Sequence, residues 1–97
     1  APVHGIDPAD RGLAYGDGLF ETMRVHAGDV PWFARHWARL TLGAQRLALP
    51  LPAQDAVRGA ISLCLRDAPG AGVLKLLVTR GAGGRGYARP AHPVPAW

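Results

Sequence analysis

The run Gly81-Ala-Gly-Gly-Arg-Gly86 has the GxGxxG spacing of a dinucleotide fingerprint and follows an apolar stretch that reads as a strand. That fingerprint works because its last glycine opens a helix whose N-terminus faces a pyrophosphate. Here Tyr87-Ala-Arg-Pro-Ala-His-Pro follows, which cannot begin a long helix, and the Gly-Lys-Ser/Thr ending of a phosphate loop is missing. What remains is a glycine-rich loop that presents Arg80, Arg85, Tyr87 and Arg89. Glycines permit positive φ and close backbone approach, both of use in holding an anion; the plain alternative is a solvated basic loop. Arg39 is a second candidate anion ligand, because a guanidinium fork can hold a carboxylate or phosphate through two bonds. Its alternative, beside Leu40, is to snorkel to solvent.

The other reactive residue types offer less. His4, His26, His36 and His92 show no HxxxH spacing and no acidic cluster that would complete a metal site, and His36, set between apolar positions, reads as a packed boundary residue. Asp10 and Asp17 flank turn chemistry, where Asp is selected first for local bonds to the backbone. Ser62 is the only serine, so a nucleophilic triad finds no support. Cys64 is the only cysteine, which excludes an internal disulfide and leaves it a small core residue.

The elements that must position these residues follow from periodicity. Residues 7–15 read as a loop, with Gly16-Asp17-Gly18 as a turn. From Leu19 to His26 the chain alternates, Leu19, Glu21, Met23 and Val25 forming the more apolar face and Phe20, Thr22, Arg24 and His26 the other. Ala27-Gly28-Asp29 reverses the chain, and 30–32 is expected to return as an edge strand limited by Pro31. A helical period then runs from about Phe33 to Leu49 through Phe33, Trp37, Leu40, Ala44 and Leu47, leaving Arg35, Arg39 and Arg46 off the stripe. Pro50 and Pro52 stop it. A second helix from about Ala53 is expected to bury Ala56, Val57, Ala60, Ile61 and Cys64, and 73–79 reads as a strand buried on most of both sides, Lys75 excepted. The expected class is α+β, a mainly antiparallel sheet with two helices packed on one face.

Ninety-seven residues, 48% of them hydrophobic, amount to one domain at most, burying roughly 65% of the surface the unfolded chain exposes. No apolar run approaches the ~18 residues of a membrane span, and a cytoplasmic location with no membrane partner is expected. The net charge is +4, but the ten arginines are scattered instead of forming one run, so no nucleic-acid partner is expected. An arginine-rich loop that binds RNA or another polyanion is the alternative from a different class. The Pro-rich end, 90–97, has linker composition, and the chain opens without Met; both are expected of a piece of a longer protein, with a domain over 1–89.

Three strings in order carry a resemblance. DRGLAYGDGLFET at 10–22, HWARL at 36–40 and VLKLLVTRGAGGRGY at 73–87 together resemble the class IV aminotransferase family, the fold type IV pyridoxal 5′-phosphate (PLP) enzymes, over nearly the whole chain. Within that family the loop string RGAGGRGY is most similar to the aminodeoxychorismate lyase branch, which forms 4-aminobenzoate and pyruvate for folate synthesis. The D-amino-acid aminotransferases usually carry tyrosine at the position of Phe20 and histidine at that of Tyr87, and the branched-chain enzymes match the opening string less well. The resemblance implies PLP as cofactor, a small-molecule substrate and a homodimer. It also implies that Arg39 binds the cofactor phosphate, that Arg85 and Tyr87 contact a substrate carboxylate, and that Phe20 lines the substrate pocket. Arg39 and Arg85 are thereby expected to converge on one anionic guest. Lys75 is the sole lysine and matches a family lysine that does not carry the cofactor, so the cofactor-bearing lysine is expected in a further C-terminal domain, and the piece alone is expected to be inactive.

Overall fold

A computed structural model describes residues 5–67, 70–83 and 93–97. A short helix, α1 (Arg11–Tyr15), forms where a loop was expected. Asp10 starts it: Oδ1 accepts from the N–H of Gly12 at 2.7 Å, and Oδ2 accepts from the Thr79 hydroxyl at 2.8 Å, fixing the helix to the far end of the chain. Gly16 ends it in the left-handed region. Five residues are too few to show a helical period, which is why the helix is invisible as a pattern.

Strand β1 (Gly18–Val25) pairs antiparallel with β2 (Gly72–Thr79), Gly18 opposite Thr79 and Val25 opposite Gly72. The expected return strand at 30–32 does not form. Ala27 and Gly28 turn the chain at positive φ, pairing stops at a single bridge between His26 and Asp29, and Val30 drops into the core. Pro31 has no N–H to give to a ladder.

Two helices lie between the strands in sequence, α2 (Phe33–Leu47) and α3 (Gln54–Arg66). They share one core with the inner face of the sheet, built from Met23, Val25, Leu76 and Val78 with Phe33, Leu40 and Ala44 of α2, Val57 of α3, and Val30 and Leu49 between elements. The Phe33 and Trp37 rings stack at 5.9 Å, and the Arg58 guanidinium of α3 lies 4.2 Å from the Phe33 centroid, joining the two helices. On α3 the row that faces the core is Val57, Ile61 and Leu65; Ala56 and Cys64 are exposed, contrary to expectation. The branched row carries more apolar area than alanines, so it takes the inward place. With α2 and α3 on one side, neither covers the other face of the two-stranded sheet, and Val73 and Leu77 of β2 point outward instead of being enclosed, while Lys75 is exposed as expected. No helix among the described residues is long and apolar enough to cross a membrane.

Candidate functional site

Glu21 is the one charged member of the inward set of β1, and it is 4% exposed. A carboxylate so placed must find donors or lose its charge. It finds two on α2, where His36 and Arg39 stand three residues apart and so share a face. Oε1 accepts from Arg39 Nε and Oε2 from Arg39 Nη2, each at 2.7 Å, while His36 Nδ1 lies 2.8 Å from Oε2. An ionised carboxylate only accepts, so Nδ1 is the protonated nitrogen of that ring. The bonds from Arg39 hold the Glu21 carboxyl below the usual range against the opposing effect of burial, and Glu21 in turn raises Arg39 above the ordinary arginine value. The Arg39 side chain is nevertheless 72% exposed, and its Nη1 has no partner among the described residues. The sequence signal for this trio was available: one acid in an otherwise apolar strand face, opposite a helix whose polar positions include a histidine and an arginine.

Phe20, the next residue back, leaves the strand on the other face. It is 60% exposed, opposite Leu77, with the Lys75 ammonium 4.4 Å from its ring centroid. A hollow of about 630 Å³ opens there, walled by Ile6, Leu13, Phe20, Lys75, Leu77 and Trp97 among others, and Arg39 is not in its wall. Phe20 and Arg39 therefore flank β1 from its two sides, joined through adjacent backbone at residues 20 and 21. Arg85 and Tyr87, and with them the expected convergence of Arg39 and Arg85, lie outside the described residues.

Arg80 is not a presented loop residue. It is 2% exposed, donating from Nε to Asp17 Oδ2 and from its two terminal nitrogens to the carbonyls of Ala48 and Leu47 at the end of α2, all at 2.9 Å. Asp17 accepts from Arg11 Nε as well, at 2.8 Å. Burial pushes the Asp17 carboxyl up, but the two guanidinium groups bring it below the usual range. Gly81, next to Arg80, has φ +81°, and a Cβ there would collide with the Val94 carbonyl. Its own carbonyl accepts from the Arg11 N–H at 2.9 Å, so the glycine run starts from a fixed root. Among the described residues no His, Cys, Asp and Glu cluster could hold a metal ion.

The family model for amino-transferase class IV matches residues 18–97. The chain belongs to the class IV aminotransferase family. It is 36% identical over 87 residues to an aminodeoxychorismate lyase of Vibrio harveyi, a match covering 89% of this chain and 31% of that protein. Its fold resembles the crystal structure of 4-amino-4-deoxychorismate lyase from Pseudomonas aeruginosa, with TM-score 0.82 and 48% identity over 97% of this chain and 34% of that one. A PLP-bound hypothetical aminotransferase from Mycobacterium tuberculosis is similar at TM-score 0.77 and 27% identity, covering 96% of this chain and 32% of that one. The chain thus spans about a third of the length of the relatives it matches. Class IV aminotransferases are PLP-dependent, and the donor set here suits the phosphate end of that cofactor: a charged, exposed guanidinium, anchored by Glu21, with N–H groups that have no partner among the described residues.

Proposed function

We propose that this chain is the small domain of a PLP-dependent aminodeoxychorismate lyase, which converts 4-amino-4-deoxychorismate to 4-aminobenzoate and pyruvate. The observation that carries the reading is the anchored, outward-facing Arg39 in a chain 48% identical to such a lyase. When bound, PLP supplies an electron sink that lets a substrate Cα lose its proton. Within this chain Arg39 holds the phosphate, Phe20 forms a wall of the substrate pocket, and Arg85 and Tyr87 receive a substrate carboxylate. Lys75, which stands over the Phe20 ring, matches a family lysine that does not carry the cofactor, and in this reading the reactive amine comes from outside this chain, which alone is inactive. The working form is a cytoplasmic homodimer. Residues 1–89 form the domain and 90–97 its exit; of the latter, Ala96 pairs with Thr79 and Trp97 packs against the core.

Transamination of D- or branched-chain amino acids is the second reading, favoured by the likeness to the PLP-bound aminotransferase. The full-length enzyme is to be given aminodeoxychorismate, and separately D-alanine or leucine with a keto acid. Release of 4-aminobenzoate is expected; its absence alongside amino transfer would replace the lyase assignment. Arg39→Ala is expected to weaken PLP binding roughly 30-fold or more, since it removes one partner of a charge-assisted pair.

A further inference from the structure

Glu21 has no assigned role, yet it spends a buried position on holding an arginine that remains in solvent. An ion pair with so exposed a partner adds little to folding stability, and His36 already supplies Oε2 with a donor. The geometry has another effect. An arginine side chain on a helix surface samples many rotamers, and that freedom must be lost when it grips a ligand. The two bonds from Glu21 engage the Nε and Nη2 edge of the fork. Of five N–H donors, three, two of them on Nη1, have no partner among the described residues. The carboxylate weakens the net positive field of Arg39, but it takes a different edge from the one a second anion would use, and the ordering is complete before that anion arrives.

We propose that Glu21 is a positioning residue for the cofactor phosphate: buried under α2, it fixes Arg39 so that the Nη1 side faces outward, while His36 braces Oε2. This rests on the reading that Arg39 takes the phosphate of PLP, and the experiment separates the two. In the full-length apoenzyme, dissociation constants are measured for PLP and for pyridoxal, which lacks the phosphate, with far-UV circular dichroism confirming the fold. Glu21→Gln should weaken PLP about tenfold, as expected for loss of a charge-assisted contact, and leave pyridoxal unchanged. In an Arg39→Ala background, Glu21→Gln should add nothing. If Arg39→Ala lowers the preference for PLP over pyridoxal and Glu21→Gln does not, positioning by Glu21 is wrong while the function of Arg39 stands. If Glu21→Gln weakens both compounds equally, its role is structural only and the proposal fails. If Arg39→Ala leaves the preference intact, the phosphate reading itself falls. Should Glu21→Gln not fold, Glu21→Asp, which keeps the charge and withdraws it by one methylene, gives the same comparison.

Discussion

Asp17 and Glu21 are both carboxylates tied to guanidinium groups, and both are held below the usual carboxylate range in the folded chain. A carboxyl with a depressed folded pKa contributes stability above its unfolded value, about 4. That contribution is lost as pH falls from there through the folded pKa, because protonation removes the acceptor the arginines require. The thermal midpoint of protein carrying this region is therefore expected to drop below about pH 4. The Asp17 part of that drop runs through Arg80, which also satisfies the Leu47 and Ala48 carbonyls. Arg80→Met should cost about 3 kcal/mol at neutral pH, the scale of breaking a buried ion pair from one side, and should make the acid-dependent loss shallower. A midpoint that is unchanged by Arg80→Met across this range would show that Asp17 and the α2 terminus do not depend on it.

At the scale of elements, two glycines separate close approach from mere flexibility. A Cβ on Gly12 of α1 would run into the Thr79 side chain of β2 and stand 2.9 Å from Asp10 Oδ1, whereas nothing lies within 4 Å of one on Gly59 of α3. Gly59→Ala is expected to stabilise the fold by roughly 0.5–1 kcal/mol through helix propensity. Gly12→Ala should destabilise it by about 1–3 kcal/mol as an overpacked contact that pushes α1 off the strand, both read from denaturant midpoints. What sequence could show follows the same division. Alternation in β1 and the stripe of α2 were legible because each repeats several times, and Arg39 stood out by its residue type and place off the stripe. The exposed side of β2 was not, since Val73 and Leu77 are as apolar as the buried Leu76 and Val78. Arg80 looked like a loop residue because its partners Asp17, Ala48 and Leu47 lie 63, 32 and 33 positions away. Glu21 was seen as part of a strand face, but its bond to Arg39, 18 positions on, needs the helix laid against the sheet before it can be read.

The whole molecule is thin: its shortest extent, 19 Å, holds one sheet layer and one helix layer, each about 10 Å deep. Two strands alone would be marginal in water, so this sheet depends on the helices packed on its inner face, and its other face carries Phe20, Leu77 and Val73 at 60%, 50% and 73% exposure. These residues share a side of the ladder; Phe20, directly opposite Leu77, makes an apolar patch across the strands, with Lys75 between it and Val73. Contiguous exposed apolar area marks a contact surface or an association hazard. The region produced by itself is thus expected to bind an anionic apolar dye and to self-associate as concentration rises in sedimentation equilibrium. Replacing Val73 and Leu77 by Thr puts a β-branched residue suited to a strand at both positions and removes much of the apolar area. The double variant should bind less dye and sediment closer to the monomer mass, with the helical signal retained. A wild-type region that stays monomeric and dye-free over the same range would mean that this face is satisfied by water alone, and that the fold does not depend on anything being laid against it.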